Sequence, residues 1–265
     1  MRPCASMLAI FLTIALRSQP AAAFDVADYR IVDLGHAYGD DTLYWPSRPA
    51  AHFQLEQLSH GETPGGYFYA ANRFCTAEHG GTHLDAPNHF SREGQTVDAV
   101  PVERLIGAAV RIDVREQAGR DRSYRLQVDD VLSFEKKHGA IQPGTIVLLQ
   151  TGWSRYWGDR KAYFGSESEE DASGLDFPSY GAEAARLLVE QRKVALIGVD
   201  TASIDYGRSR DFLVHRVAGA ANVGGLENLT NLDQLPATGF SVIALPMNIR
   251  GGSGAPLRII ALVPR

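Results

Sequence analysis

The sequence predicts an α/β fold built as one domain. Six short segments rich in Val, Ile and Leu, each bounded by turn residues, recur along the chain at residues 29–34, 108–114, 145–149, 194–199, 240–245 and 257–263. They read as strands, and those apolar at consecutive positions read as central ones, covered on both faces. Two segments between them carry apolar residues at helical spacing. Residues 127–138 begin with Asp129 and Asp130 in the first turn, and residues 182–191 follow a glycine. A mixed sheet with a few packed helices satisfies both patterns, and no internal repeat competes with it.

The chain is expected to begin with a secretory signal peptide, residues 1–23. Arg2 supplies a positive start, residues 7–16 an apolar core too short to span a bilayer, and Ala21-Ala22-Ala23 a small-residue cleavage site. The competing reading is a buried N-terminal helix. Cleavage implies a secreted or periplasmic protein whose domain is residues 24–265. Cys4 would leave with the leader, so Cys75 remains alone and no internal disulfide forms. Loss of Arg2 and Arg17 takes the formal charge from −5 to −7. An acidic chain with scattered basic residues is not expected to bind nucleic acid. No long apolar run follows the leader, so no membrane span is expected. The acidic, serine-rich stretch 165–174 is expected to be an exposed loop.

The chemistry concentrates in His79-Gly80-Gly81-Thr82-His83-Leu84-Asp85-Ala86-Pro87-Asn88-His89. Imidazoles and a carboxylate together suit zinc, manganese or iron. Two glycines and a proline argue against a helix, and no glutamate separates His79 from His83 as the helical metalloprotease pattern requires. In an extended chain, residues 83, 85, 87 and 89 would share one face, with His79 arriving across a glycine bend.

This run matches every fixed position of H-x-G-T-H-x-D-x-P-x-H, and the chain thereby resembles the cyclase-family metal hydrolases, which include bacterial-type kynurenine formamidases and isatin hydrolases. The resemblance extends from about residue 28 to the C-terminus through Asp33-Leu34, Thr151-Gly152-Trp153, Gly198 to Asp205, Glu227-Asn228-Leu229 and Gly254 to Arg258. It implies the family's swivelling β/β/α-type fold with a barrel-like sheet, and a homodimer. It also implies a two-zinc site, with manganese as a possible substitute. One ion would sit on His79, His83 and Asp85, and the second on Asp85 as a bridge with His215 and Glu227. His89 would be the general acid/base, a role suited to imidazole at neutral pH. Thr82 and Asp200-Thr201-Ala202-Ser203 are candidates for orienting the ligands. Tyr44, Trp45 and Phe53 are candidate walls for an aromatic substrate, and the core-or-interface alternative stays open for them and for Tyr67-Phe68-Tyr69. His36 is expected to be structural, and His52, His60 and His138 have no evident partners. Asn228-Leu229-Thr230 fits a glycosylation pattern but adjoins Glu227 and is expected to be inaccessible.

The activity implied first is hydrolysis of an aryl formamide, N-formyl-L-kynurenine to L-kynurenine and formate, by a metal-bound hydroxide. The alternative is opening of isatin or another cyclic amide or lactone. Isatin hydrolases share the signature and the Asn231 to Pro236 segment but use one metal and are not expected to keep the Glu227 carboxylate. A serine-hydrolase route is disfavoured, because Gly251-Gly252-Ser253-Gly254-Ala255 fails G-x-S-x-G at its last position. His83, Asp85 and His215 also imitate the ligand triad of non-haem iron oxygenases, but that reading leaves His79, His89 and Glu227 without a role. A secreted protein that merely holds metal is the remaining alternative.

Overall fold

The computed structural model describes residues 24–265, so the expected signal peptide lies outside the described residues. The strands are β1 (Tyr29–Asp33), β2 (Gln54–Glu62), β3 (Phe68–Cys75), β4 (His83–Asp85), β5 (Ile106–Asp113), β6 (Arg125–Leu126), β7 (Ile146–Gln150), β8 (Ser179–Tyr180), β9 (Leu196–Val199), β10 (Gly224–Glu227), β11 (Phe240–Pro246) and β12 (Gly254–Pro264). The helices are α1 (Arg115–Arg120), α2 (Val128–His138), α3 (Arg160–Phe164), α4 (Ala182–Arg186), which runs on into a π-turn at Leu187–Gln191, and α5 (Leu213–Ala220). Every expected strand and both expected helices are present to within a few residues.

Eight strands form one sheet in the order β1-β12-β11-β5-β7-β9-β10-β4, and β4 pairs again with β12. That second pairing closes a seven-strand barrel, leaving β1 as the edge strand of the sheet. It is possible because β12 is eleven residues long: its first part meets β4, its last part meets β1, and its other edge meets β11. The strands β5, β7, β9 and β10 run parallel, and the remaining pairs of the sheet run antiparallel.

Side chains alternate across the barrel wall. Ile146 and Leu148 of β7 join the inner core with Leu84, Leu196, Leu226 and Ile259, while Val147 and Leu149 point outward. The outward set is covered by α2 through Val131 and Phe134, by α4 through Ala184 and Ala185, and by α5 through Val214 and Val217. This double covering is why these strands read as unbroken apolar runs. A third, aromatic layer of Trp153, Tyr163, Phe164 and Phe177 packs outside the wall beside Ala202.

The stretch 165–174 is a largely exposed loop, as expected. The β2–β3 hairpin was not expected. Among the described residues it pairs only with itself and leaves Leu55, Leu58, Phe68, Tyr69 and Phe74 each at least half exposed. One expectation about the motif needs correction. Residues 83–85 are extended, but Pro87–His89 form a 3-10 turn with proline at its start, so His89 does not continue the face of His83 and Asp85. Proline fixes φ in the helical range and tips the chain into that turn.

Candidate metal centre

The motif strand β4 lies between β10 and β12. Leu84 points into the barrel core, so His83 and Asp85 point outward, toward α5 and the aromatic layer. Across the ladder, Glu227 pairs with His83, and Gly225 and Gly254 pair with Asp85. Register alone therefore sets Glu227 on the face of His83. The glycines opposite Asp85 keep that face open: a Cβ on Gly254 would come 2.5 Å from His79 Cε1 and 2.7 Å from the Leu84 carbonyl.

His79 enters through the expected glycine bend. Gly81 has φ 57°, and a Cβ on Gly80 would lie 2.1 Å from the Tyr44 ring. His215 arrives on α5. Gly219, one turn further along that helix, lets it approach the motif turn, since a Cβ there would sit 2.6 Å from the Pro87 carbonyl. These placements gather residues from four parts of the chain. Asp85 Oδ1 is 2.6 Å from His79 Nδ1 and 3.1 Å from His83 Nε2, and Asp85 Oδ2 is 3.0 Å from His215 Nε2. Glu227 lies 3.3 Å from His215 Nε2 and 3.5 Å from His83 Nε2. Ligand atoms of His79, His83 and Asp85 all fall within 4.8 Å of one another, as do those of Asp85, His89 and His215.

The donor set fits a divalent cation. His83 Nδ1 donates to the Gly81 carbonyl at 3.0 Å, which leaves its Nε2 as the atom facing the cluster. That Nε2 is buried and, among the described residues, without a hydrogen-bond partner. An orphaned buried nitrogen beside a carboxylate has the chemistry of a cation's ligand pair. Burial alone would pull the His83 imidazole down, but Asp85 and then Glu227 outweigh it and lift the pKa to about 9. Burial pushes Asp85 up, and the neighbouring His79, His83 and His215 carry it well below the usual carboxylate range. Glu227 is raised by burial and by the charge of Asp85. Burial lowers His89 to about 4, with Asp85 opposing and the other histidines assisting. A pocket of mutually compensating imidazoles and carboxylates is held together by protons that a dication can replace.

Of the other expected residues, Thr82 is buried, accepts from His36 N at 2.8 Å and donates to the Asn228 carbonyl at 2.7 Å. Asp200 caps the backbone and hydroxyl of Thr151 and the amides of Gly152 and Trp153 rather than touching a ligand. The residue that orients His215, an expected ligand, is Asp205, whose Oδ2 accepts from His215 Nδ1 at 2.7 Å. Trp45 lines the cavity over the cluster. Tyr44 instead packs on Gly80 with its hydroxyl bonded to Thr76, and Phe53 packs between Tyr38 and Phe74. Phe90, Phe164 and Phe212 supply the aromatic walls that sequence reasoning missed. Asn228 is buried, donating to the Gly81 carbonyl and accepting from the Tyr163 hydroxyl, so the glycosylation pattern is inaccessible in the fold. His36 stacks on Trp157, and His52, His60 and His138 lie away from the cluster.

A barrel wall carrying a buried imidazole–carboxylate cluster under an aromatic cavity defines a metal-dependent hydrolase. The family model Cyclase matches residues 32–206, and the chain belongs to the cyclase family. It is 34% identical over 221 residues to an isatin hydrolase of Roseibium aggregatum, covering 80% of this chain and 81% of that one. A kynurenine formamidase of Sphingopyxis alaskensis is 29% identical, covering 87% and 97%. Among solved structures, isatin hydrolase A from Ralstonia solanacearum superposes with a TM-score of 0.83 at 34% identity, covering 94% of this chain and all of that one.

Proposed function

We propose that this chain hydrolyses the amide bond of a small, neutral, cyclic aryl amide of the isatin type, with a divalent cation held by His79, His83 and Asp85. The observation that carries this reading is the cavity above the cluster. It encloses about 320 Å³, and Trp45, Phe90, Phe164 and Phe212 wall it. Among the described residues that line it there is no lysine or arginine. A flat bicyclic amide fits such walls by stacking and apolar burial. N-formyl-L-kynurenine carries an α-carboxylate and an α-ammonium, and the described lining residues include no lysine or arginine to pair with that carboxylate. The identity to isatin hydrolases supports the same choice.

A bound cation supplies Lewis acidity toward the amide carbonyl and acidifies a water. The chain's own residues do the rest. His89, neutral at pH 7 because burial holds it near 4, is able to accept the proton of the attacking water and return it to the departing ring nitrogen. Water adds to the carbonyl carbon, the C–N bond breaks, and the ring opens to an aryl amine and a carboxylate. Asp85, His215 and Glu227, with His215 Nε2 3.0 Å from the first carboxylate and 3.3 Å from the second, are close enough for a second cation. Zinc and manganese both suit these donors.

The kynurenine formamidase reading keeps one specific support, the Glu227 carboxylate. Steady-state kinetics on isatin and on N-formyl-L-kynurenine decide between them. A kcat/KM at least about 10-fold higher for isatin is expected, since a polar group left without its partner costs about 1–3 kcal/mol. A preference for the formamide would overturn the substrate assignment.

A further inference from the structure

The glycine-rich run before β12 fails as a nucleophile elbow, yet its serine reaches the metal cluster. Ser253 Oγ lies 2.8 Å from His79 Nε2, and it donates to Glu78 Oε2 at 2.6 Å. The Ser253 amide also donates to Glu78 Oε2, at 3.0 Å. The loop is fixed on both sides of the serine. The Gly252 carbonyl accepts from Val97 N, and the Ser253 carbonyl accepts from Ala86 N, each at 2.9 Å. The flanking glycines make the approach possible. A Cβ on Gly252 would be 2.9 Å from Glu78 Oε1, and one on Gly254 would strike His79 itself.

With the Glu78 carboxylate as acceptor, the proton count on the Ser253 side of this chain of bonds has one solution. A carboxylate only accepts, so the single hydroxyl proton of Ser253 goes to Glu78. The serine oxygen is then an acceptor toward His79, which must carry its proton on Nε2. This leaves Nδ1, 2.6 Å from Asp85 Oδ1, as the ring atom facing the cluster, where a cation would take the place of the proton that this contact holds. Without the serine, the tautomer with its proton on Nδ1 would gain a bond to Asp85 Oδ1, 2.6 Å away, and that proton would occupy the ligand position.

We propose that Ser253 and Glu78 form a hydroxyl–carboxylate relay that locks His79 in the tautomer able to bind metal through Nδ1. Both are positioning residues, acting through His79. The proposal rests on the reading of His79 as a ligand. It gives the glycine-serine run a role, since its glycines admit the serine to the imidazole.

The test is zinc affinity by competition with a chromophoric chelator, on the parent, Ser253→Ala, Glu78→Gln and the double variant, beside melting of each metal-free protein. Loss of such a partner is expected to loosen zinc by about 10–100-fold in Ser253→Ala. Glu78→Gln should act in the same direction, and the double variant should lose no more than Ser253→Ala alone, because the pair acts as a unit. In the zinc-loaded parent, histidine 15N–1H correlations should place the His79 proton on Nε2. Zinc bound by Ser253→Ala within about twofold of the parent would overturn the relay and leave the metal reading standing. Strictly additive losses, or a His79 proton on Nδ1, would also overturn it. A parent that binds no zinc would remove the metal reading and the relay together. Should Ser253→Ala fail to fold, Glu78→Gln and the tautomer measurement decide alone.

Discussion

Replacing Asp205 by alanine removes the carboxylate that joins α5 to the cluster. Its Oδ1 accepts from Val214 N at 3.1 Å and from Ser209 Oγ, and its Oδ2 accepts from His215 N at 3.1 Å and from His215 Nδ1 at 2.7 Å. Val214 and His215 stand in the first turn of α5, whose N-cap, Phe212, offers no side-chain acceptor and sits in the left-handed region at φ 48°. Asp205 therefore does from eight residues upstream what a capping residue does locally. The substitution leaves three buried N–H groups without an acceptor, each worth about 1–3 kcal/mol. Taking the low end for each, since water can enter the space vacated, the loss is about 3 kcal/mol. In a domain of this size that lowers Tm by about 6–12 °C. The pH dependence follows from the depressed pKa of Asp205, where burial is outweighed by the His215 bond and the helix amides. Its contribution is present above the unfolded value near 3.8 and disappears as pH falls through the lower folded value. Metal-free parent and Asp205→Ala compared by calorimetry at pH 7 and at pH 3 provide the assay. A Tm within 2 °C of the parent at pH 7 would refute the reasoning.

Glu227→Ala is expected to drop the metal stoichiometry from two to one and to impair turnover; a parent that saturates at one ion, with the variant unchanged, would refute a ligand role. Zinc affinity should rise with pH and level off above about 9, because the metal-free protein holds a proton on His83 that the ion must displace; an affinity flat between pH 6 and 9 would contradict this. The exposed apolar face of the β2–β3 hairpin is expected to be covered by a second copy of the chain, since two strands alone are marginal in water. Leu55→Glu with Phe74→Glu should then convert a dimer to a monomer in light scattering, and a monomeric parent would remove that expectation.

The parallel strands of the barrel were legible because burial on both faces writes an unbroken apolar run. β10 was not, because two of its four residues are glycines, one of them facing Asp85. The hairpin was missed for the opposite reason: buried on neither face, it carries no hydrophobic period. At the site, His79, His83 and Asp85 announce themselves by spacing within eleven residues. His215 and Glu227 became candidates only through resemblance, and register and helix packing then bring them to the cluster. Asp205 and Ser253 carry no local signal, since a carboxylate or a hydroxyl that orients a distant imidazole looks like any turn residue. The aromatic walls were misassigned in part because Phe90, Phe164 and Phe212 come from three separate loops and helices, whereas Tyr44 and Phe53 merely neighbour Trp45 in sequence.

The central claim is that a cation on His79, His83 and Asp85 makes this chain a hydrolase. The direct measurement is isatin hydrolysis under nitrogen by protein stripped with a chelator and then titrated with zinc or manganese. The account predicts no turnover in the stripped protein, recovery in proportion to bound ion, no need for oxygen, and no recovery in Asp85→Ala. Full activity in the stripped protein, or recovery in Asp85→Ala equal to the parent's, would contradict it.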